Sequence, residues 1–212
     1  MAHGSLDDYL SKRTPSVLAW STRLSIVIAT AKALASLHGE KKPLLCGNFG
    51  ACNVMLDSDN NAKLLDLMLV TNDRNIIRWN CRGGMGVVTG SRRCVSPEYF
   101  MYGPLTTKID VYNFGVVLLE VLITGLNSMN MSRSIEERNL VKYARPSLND
   151  PVELARIMDP ALKGIYPVEA SQKAALLAYR CLHVKPKKRP NMSSVIEALE
   201  LLTSVNVNED VN

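Results

Sequence analysis

The sequence predicts a mainly α fold with one small β-hairpin near its front. Three observations carry that expectation. Apolar residues recur at helical spacing early in the chain and again near its end, one central stretch is apolar around its whole circumference, and one pair of short β-prone runs flanks a turn of small polar residues. With 212 residues, 47% of them hydrophobic, the chain can bury a substantial core, most simply as one domain over residues 1–203 with a polar tail over 204–212.

The elements follow in order. Leu24, Val27, Ile28, Ala31, Leu34 and Leu37 share one helical face behind Trp20-Ser21-Thr22, which predicts a helix from about Ser21 to His38 with Arg23 and Lys32 on its polar side. Val54-Met55-Leu56 and Ala62-Lys63-Leu64-Leu65 flank Asp57-Ser58-Asp59-Asn60-Asn61, whose short polar side chains favour a turn, so these runs pair as a hairpin. The hairpin presents Asn53 at one end and Asp66 at the other. Val111 to Ile123 is apolar on every side except at Asn113 and Glu120, the pattern of a helix enclosed by protein. Two further helices, Ser171 to His183 and about Ser193 to Leu202, are separated by the loop Pro186-Lys187-Lys188-Arg189-Pro190. Ser193 or Ser194 is expected to cap the last of them, and Asn206 to Asn212 to fray.

Composition removes several classes of function. Lysine and arginine outnumber aspartate and glutamate by 25 to 20, and a net charge of +5 is too mild to imply nucleic acid. Val116 to Ile123, the best membrane candidate, is short and contains Glu120; the start lacks a signal peptide's charged and apolar regions, and Ala2 stands where a myristoylated chain has glycine. Any membrane is therefore expected to be reached through a partner. Five cysteines, at 46, 52, 81, 94 and 181, form no Cys-x-x-Cys pair, which fits reduced intracellular thiols. Cys181-Leu182-His183 lacks a second local pair and reads as helix packing rather than as a metal site. His38, closing a helix, reads as a satisfied structural imidazole.

Chemistry-bearing residues gather around the hairpin: Cys46-Gly47-Asn48-Phe49-Gly50-Ala51-Cys52-Asn53 before it and Asp66-Leu67-Met68 after it. Further along stand Ser96-Pro97-Glu98-Tyr99, Asp110-Val111-Tyr112-Asn113-Phe114-Gly115-Val116-Val117-Leu118-Leu119-Glu120, Asn139-Leu140-Val141-Lys142-Tyr143-Ala144-Arg145-Pro146 and Arg189-Pro190. With Gly4-Ser5-Leu6-Asp7-Asp8-Tyr9-Leu10 at the front, their order and spacing resemble the C-terminal lobe of plant receptor-like cytoplasmic serine/threonine protein kinases, from about Gly4 to Leu202.

The resemblance implies a protein-kinase-like C-terminal lobe, with the N-terminal lobe absent. It sets Cys46 to Asn53 over the loop His-Arg-Asp-x-x-x-x-Asn, so Asn48 stands at the position of the catalytic base, and an amide cannot take up a proton near neutral pH. Gly47 and Gly50 replace an arginine and a lysine of the family loop. Asp66-Leu67-Met68 occupies the place of the family's Asp-Phe-Gly, so Asn53 and Asp66 match the two magnesium ligands. Glu98 and Arg189 are implied to form a buried structural ion pair, and Asp110 to steady the loop backbone. Nothing before Gly4 supplies a glycine-rich loop or a strand lysine, and Gly83-Gly84-Met85-Gly86, inside the activation-segment region, reads as a flexible loop rather than a phosphate cradle. Arg92-Arg93 beside Ser91 is either a patch for acidic partners or a solvated turn. Nothing marks Ser91, Thr106 or Thr107 as a phosphorylation substrate over other loop hydroxyls.

The expected function is therefore a catalytically inactive pseudokinase that acts by protein binding, with no cofactor and at most weak residual magnesium or ATP binding at Asn53 and Asp66. Its expected partner is a kinase or receptor, and its expected place is the cytoplasm, at the plasma membrane only through that partner. Two alternatives stand beside it: a fragment of an ATP-dependent serine/threonine kinase that needs a missing upper lobe, and a truncated gene relic.

Overall fold

The computed structural model describes residues 4–12, 17–39, 43–47, 49–65, 67, 70–71, 96–100, 106–128, 134 and 139–209. In chain order they form β1 (Gly4–Ser5), α1 (Leu6–Lys12), α2 (Trp20–Leu37), β2 (Leu44–Leu45), a short 3-10 turn (Ala51–Asn53), β3 (Val54–Leu56), β4 (Ala62–Leu64), β5 (Val70–Thr71), α3 (Pro97–Phe100) and α4 (Thr107–Leu118). A π-helical segment (Leu119–Thr124) extends α4, and α5 (Leu140–Ala144), a 3-10 turn (Arg145–Asn149), α6 (Pro151–Ile157), a 3-10 turn (Pro160–Leu162), α7 (Val168–Cys181), a 3-10 turn (Pro186–Lys188) and α8 (Met192–Glu209) follow. The fold is mainly α with a small antiparallel sheet.

The central helix is the axis of the core. Every residue from Ile109 to Thr124 is buried, including Asp110, Asn113 and Glu120. Thr106 caps it by accepting from the Lys108 N–H at 3.3 Å, and Gly125 ends it in the left-handed region at φ 62°. A Cβ at Gly125 would lie 2.3 Å from Asp159 Oδ2, so both the dihedral and the close approach require glycine.

Helix α2 buries Trp20, Leu24, Ile26, Val27, Ala31 and Leu34 and packs against α8. Lys32 stays exposed and pairs with Glu200 of α8 at 2.7 Å. Arg23 corrects the expectation that it lies on the polar side: only 4% of it is exposed. Its Nε donates to Leu18 O and its Nη1 to Val121 O, both at 2.9 Å, while Nη2 meets Asp159 Oδ2 at 2.7 Å. A guanidinium so surrounded by acceptors can be buried without stranding its charge.

The hairpin pairs Val54 with Leu64, Met55 with Lys63 and Leu56 with Ala62, and β1 adds a third strand beside β3. Asp57 builds the turn by accepting from the N–H groups of Asp59 at 3.0 Å and Asn61 at 2.9 Å. The Asn61 backbone bond is the main cause holding the Asp57 carboxyl below its ordinary value. A separate two-stranded ladder pairs β2 with β5 on either side, in sequence, of the 3-10 turn and the hairpin.

Several ends differ from the sequence expectation: the central helix begins at Thr107 rather than Val111, and α7 runs from Val168 to Cys181 rather than from Ser171 to His183. The N-terminal cap of α8 is Asn191, whose Oδ1 accepts from Ser194 N–H at 2.8 Å, rather than Ser193 or Ser194. The helix also runs to Glu209, past Leu202 and through residues 206–209 of the tail expected to fray, because no glycine or proline interrupts Thr203 to Glu209.

Candidate functional site

The site is built from the buried polar residues of α4. Asp110 is fully buried, and both its oxygens are taken: Oδ2 accepts from Cys46 N–H at 2.9 Å and Oδ1 from Gly47 N–H at 2.8 Å. His38, at the end of α2, sets its Nε2 2.9 Å from the same Oδ2. A carboxylate only accepts, so that nitrogen carries the proton. One turn along α4, Asn113 donates from Nδ2 to Gly47 O at 3.2 Å. Three side chains from two helices thus fix the backbone that leads into residue 48.

Gly47 has φ 60°, a conformation that glycine adopts without steric penalty, and open space surrounds the position a Cβ would take. Cys46 is buried, and burial followed by the charge of Asp110 pushes its thiol up to about 12, which makes it a packing group rather than a nucleophile. Asn53 closes the loop's far end. Its Oδ1 accepts from Gly50 N–H at 3.0 Å, its Nδ2 donates to Leu65 O at 3.4 Å, and its own carbonyl accepts from Leu65 N–H at 2.9 Å. The asparagine ties the loop to the end of the hairpin.

A second cluster lies beside the same first turns of α4, on the face of Lys108 and Tyr112. Arg189 makes a two-pronged pair with Glu98, Nη1 to Oε1 at 2.5 Å and Nη2 to Oε2 at 2.7 Å, and also donates from Nη1 to Lys108 O at 2.7 Å and from Nε to His183 O at 2.8 Å. Its guanidinium lies 4.8 Å from the centre of the Tyr112 ring. Lys108 returns the contact, donating from Nζ to Arg189 O at 3.0 Å and to Pro190 O at 2.8 Å. Burial, followed by the Arg189 charge, lowers the Lys108 pKa.

The model for protein tyrosine and serine/threonine kinases matches residues 1–199 of this chain. The chain belongs to the protein kinase family. It is 47% identical over 207 residues to an EPD1-interacting receptor-like cytoplasmic serine/threonine-protein kinase of Nicotiana benthamiana, covering 97% of this chain and 43% of that protein. Similar matches are the EPD1-interacting receptor-like cytoplasmic serine/threonine-protein kinase 5D of Gossypium barbadense, 46% identical over 95% of this chain and 43% of its own length, and serine/threonine-protein kinase PBL13 of Arabidopsis thaliana, 44% identical over 94% and 40%. The chain spans less than half the length of these curated relatives.

Within that kinase frame the structure brings Asp110 to the catalytic-loop backbone and Glu98 to Arg189. Asn48 and Asp66 lie outside the described residues, as do Gly83-Gly84-Met85-Gly86, Ser91 and Arg92-Arg93. No group of three metal-ligating His, Cys, Asp or Glu side chains occurs among the described residues. Asn53 alone offers one neutral oxygen already engaged by Gly50, which does not meet the demand of magnesium for an octahedral oxygen shell with carboxylate charge. Any such site depends on Asp66. Sequence reading missed Lys108 and the joint role of His38 and Asn113. The available signal was the i, i+3 spacing of Asp110 and Asn113, two polar residues on one face of an otherwise apolar helix.

Proposed function

We propose that this kinase-family chain is a signalling module that binds proteins and does not itself transfer phosphoryl groups. The observation that carries the reading is asparagine at residue 48, reached from a loop whose backbone Asp110 still anchors through Cys46 and Gly47. An amide there cannot accept the proton of an attacking hydroxyl, and a general base contributes roughly 10²–10⁴-fold. Gly47 and Gly50 also leave the loop without the two positive charges that the family carries there. The fold's supports are kept while the groups that act on substrate are replaced, the pattern expected of a scaffold. The relatives' names place those proteins among receptor-like cytoplasmic kinases, so the proposed setting is cytoplasmic signalling beside a kinase or receptor.

A second reading has its own support. The chain matches less than half of the serine/threonine kinases named above, and it keeps Asn53 and Asp66, so it can be the lower half of a larger kinase domain. Thermal unfolding with and without magnesium and ATP separates the two. The binding-module reading predicts one cooperative transition whose midpoint ATP does not move, since ligand well below its Kd adds less than about 0.1 kcal/mol. A magnesium-dependent rise that Asp66→Ala removes would favour the second reading. Broad, non-cooperative melting would instead favour a relic without a selected role.

A further inference from the structure

A groove of about 560 Å³ opens between α5, the 3-10 turn after it, α4 and α7, away from the catalytic loop. Tyr112 and Tyr179 line it together with Asn139, Lys142, Arg145 and Asn149, and among the described residues none of its lining side chains is acidic. Arg145 lies over the Tyr179 ring at 5.2 Å, which orients the guanidinium, and its Nε is buried without an acceptor among the described residues. Nor does any described carboxylate pair with Arg145 or with exposed Lys142. Leaving a buried donor of a charged group unmade is costly, so this arrangement favours an acceptor in the groove, and the positive charge favours an anionic one.

The surroundings add to the field. His183 is held below its ordinary value by burial and by the charges of Lys188, Arg145 and Arg189. Arg189 is neutralised by Glu98, so among the described residues Arg145 and Lys142 are the cations that line the groove. Two cations, two amides and an aromatic floor suit an extended chain with carboxylate or phosphate side groups, since planar guanidinium recognises both in forked geometry.

We propose that this groove docks an anionic segment of a protein partner, a peptide rich in phosphorylated or carboxylate side chains, held by Arg145 and Lys142. The proposal rests on the protein-binding reading of the lobe and supplies the chemistry of its partner.

Fluorescence anisotropy with the whole chain tests it, using three fluorescein-labelled peptides of one sequence carrying phosphoserine, glutamate or serine at the same positions. The phosphoserine peptide, the glutamate peptide or both bind, the serine peptide does not, and binding weakens with added salt. Tighter binding of phosphoserine identifies a phosphorylated partner, and equal binding an acidic stretch. Lys142→Glu, an exposed change, weakens binding about tenfold or more, while Lys187→Glu on the neighbouring loop leaves it within about twofold. Arg145→Lys keeps the charge but loses the fork and falls between them. The groove is excluded if no anionic peptide binds, or if Lys187→Glu costs as much as Lys142→Glu, which would mean a diffuse field. That failure leaves the non-catalytic reading standing, since phosphoryl transfer is measured separately.

Discussion

At Gly115 the helix α4 comes close to the end of α7: a Cβ added there would sit 2.8 Å from Cys181 Cβ and 3.1 Å from Leu182 Cγ. Alanine gains about 0.5–1 kcal/mol of helix propensity, but overpacking against a fixed Cβ costs about 1–3 kcal/mol. The cost wins. Gly115→Ala should therefore lower the unfolding midpoint by about 2–4 °C, measured by thermal denaturation. Cys181, opposite it, is fully buried and, like Cys46, has its thiol pushed from 9.0 up to about 12, chiefly by burial. Between those two values the unfolded chain releases protons that the native state keeps, so stability is full below 9.0 and falls as pH rises toward about 12. Melting curves from pH ~8 to ~11 should show that decline, and Cys181→Ala should flatten it. At this scale residue types were legible in the sequence, but inward turns were not. Arg23 looked like a solvent-facing helix residue because its three acceptors come from Leu18, Val121 and Asp159, positions that only the fold brings together.

Elements were legible in proportion to their length. Helix α2, the hairpin and the central helix each carry enough repeats of one period to be read without a structure. The two-residue strands β1, β2 and β5 and the short helices α5 and α6 carry less than two periods, and β2 finds its partner across more than twenty residues. The last helix overran its expected end because polarity alone does not stop a helix. Arg189 shows how an unreadable element is held: its loop is fixed to α3 by the pair with Glu98 and to α4 by Lys108. Removing one partner of a buried ion pair costs about 3–5 kcal/mol by leaving the other charge stranded. Arg189→Ala should accordingly lower the midpoint by roughly 6–20 °C, whereas Lys32→Ala, which breaks the exposed pair with Glu200, should change it by no more than about 2 °C.

On the scale of the whole molecule, two polar clusters sit on one buried helix. Asp110 and Asn113 hold the loop that leads to residue 48, and Tyr112 and the Lys108 carbonyl hold Arg189. Both belong to the protein's scaffold, and these contacts are made without the side chain of residue 48. The kinase-like lobe was legible from ordered motifs; the groove beside Arg145 was not, because its walls come from three separate segments. Transfer of label from γ-³²P ATP to a protein or peptide acceptor is the most direct test of the central claim. The account predicts no incorporation above a protein-free control, for the chain as it is and for Asn48→Ala alike. Incorporation by purified chain that Asn48→Ala abolishes would contradict it.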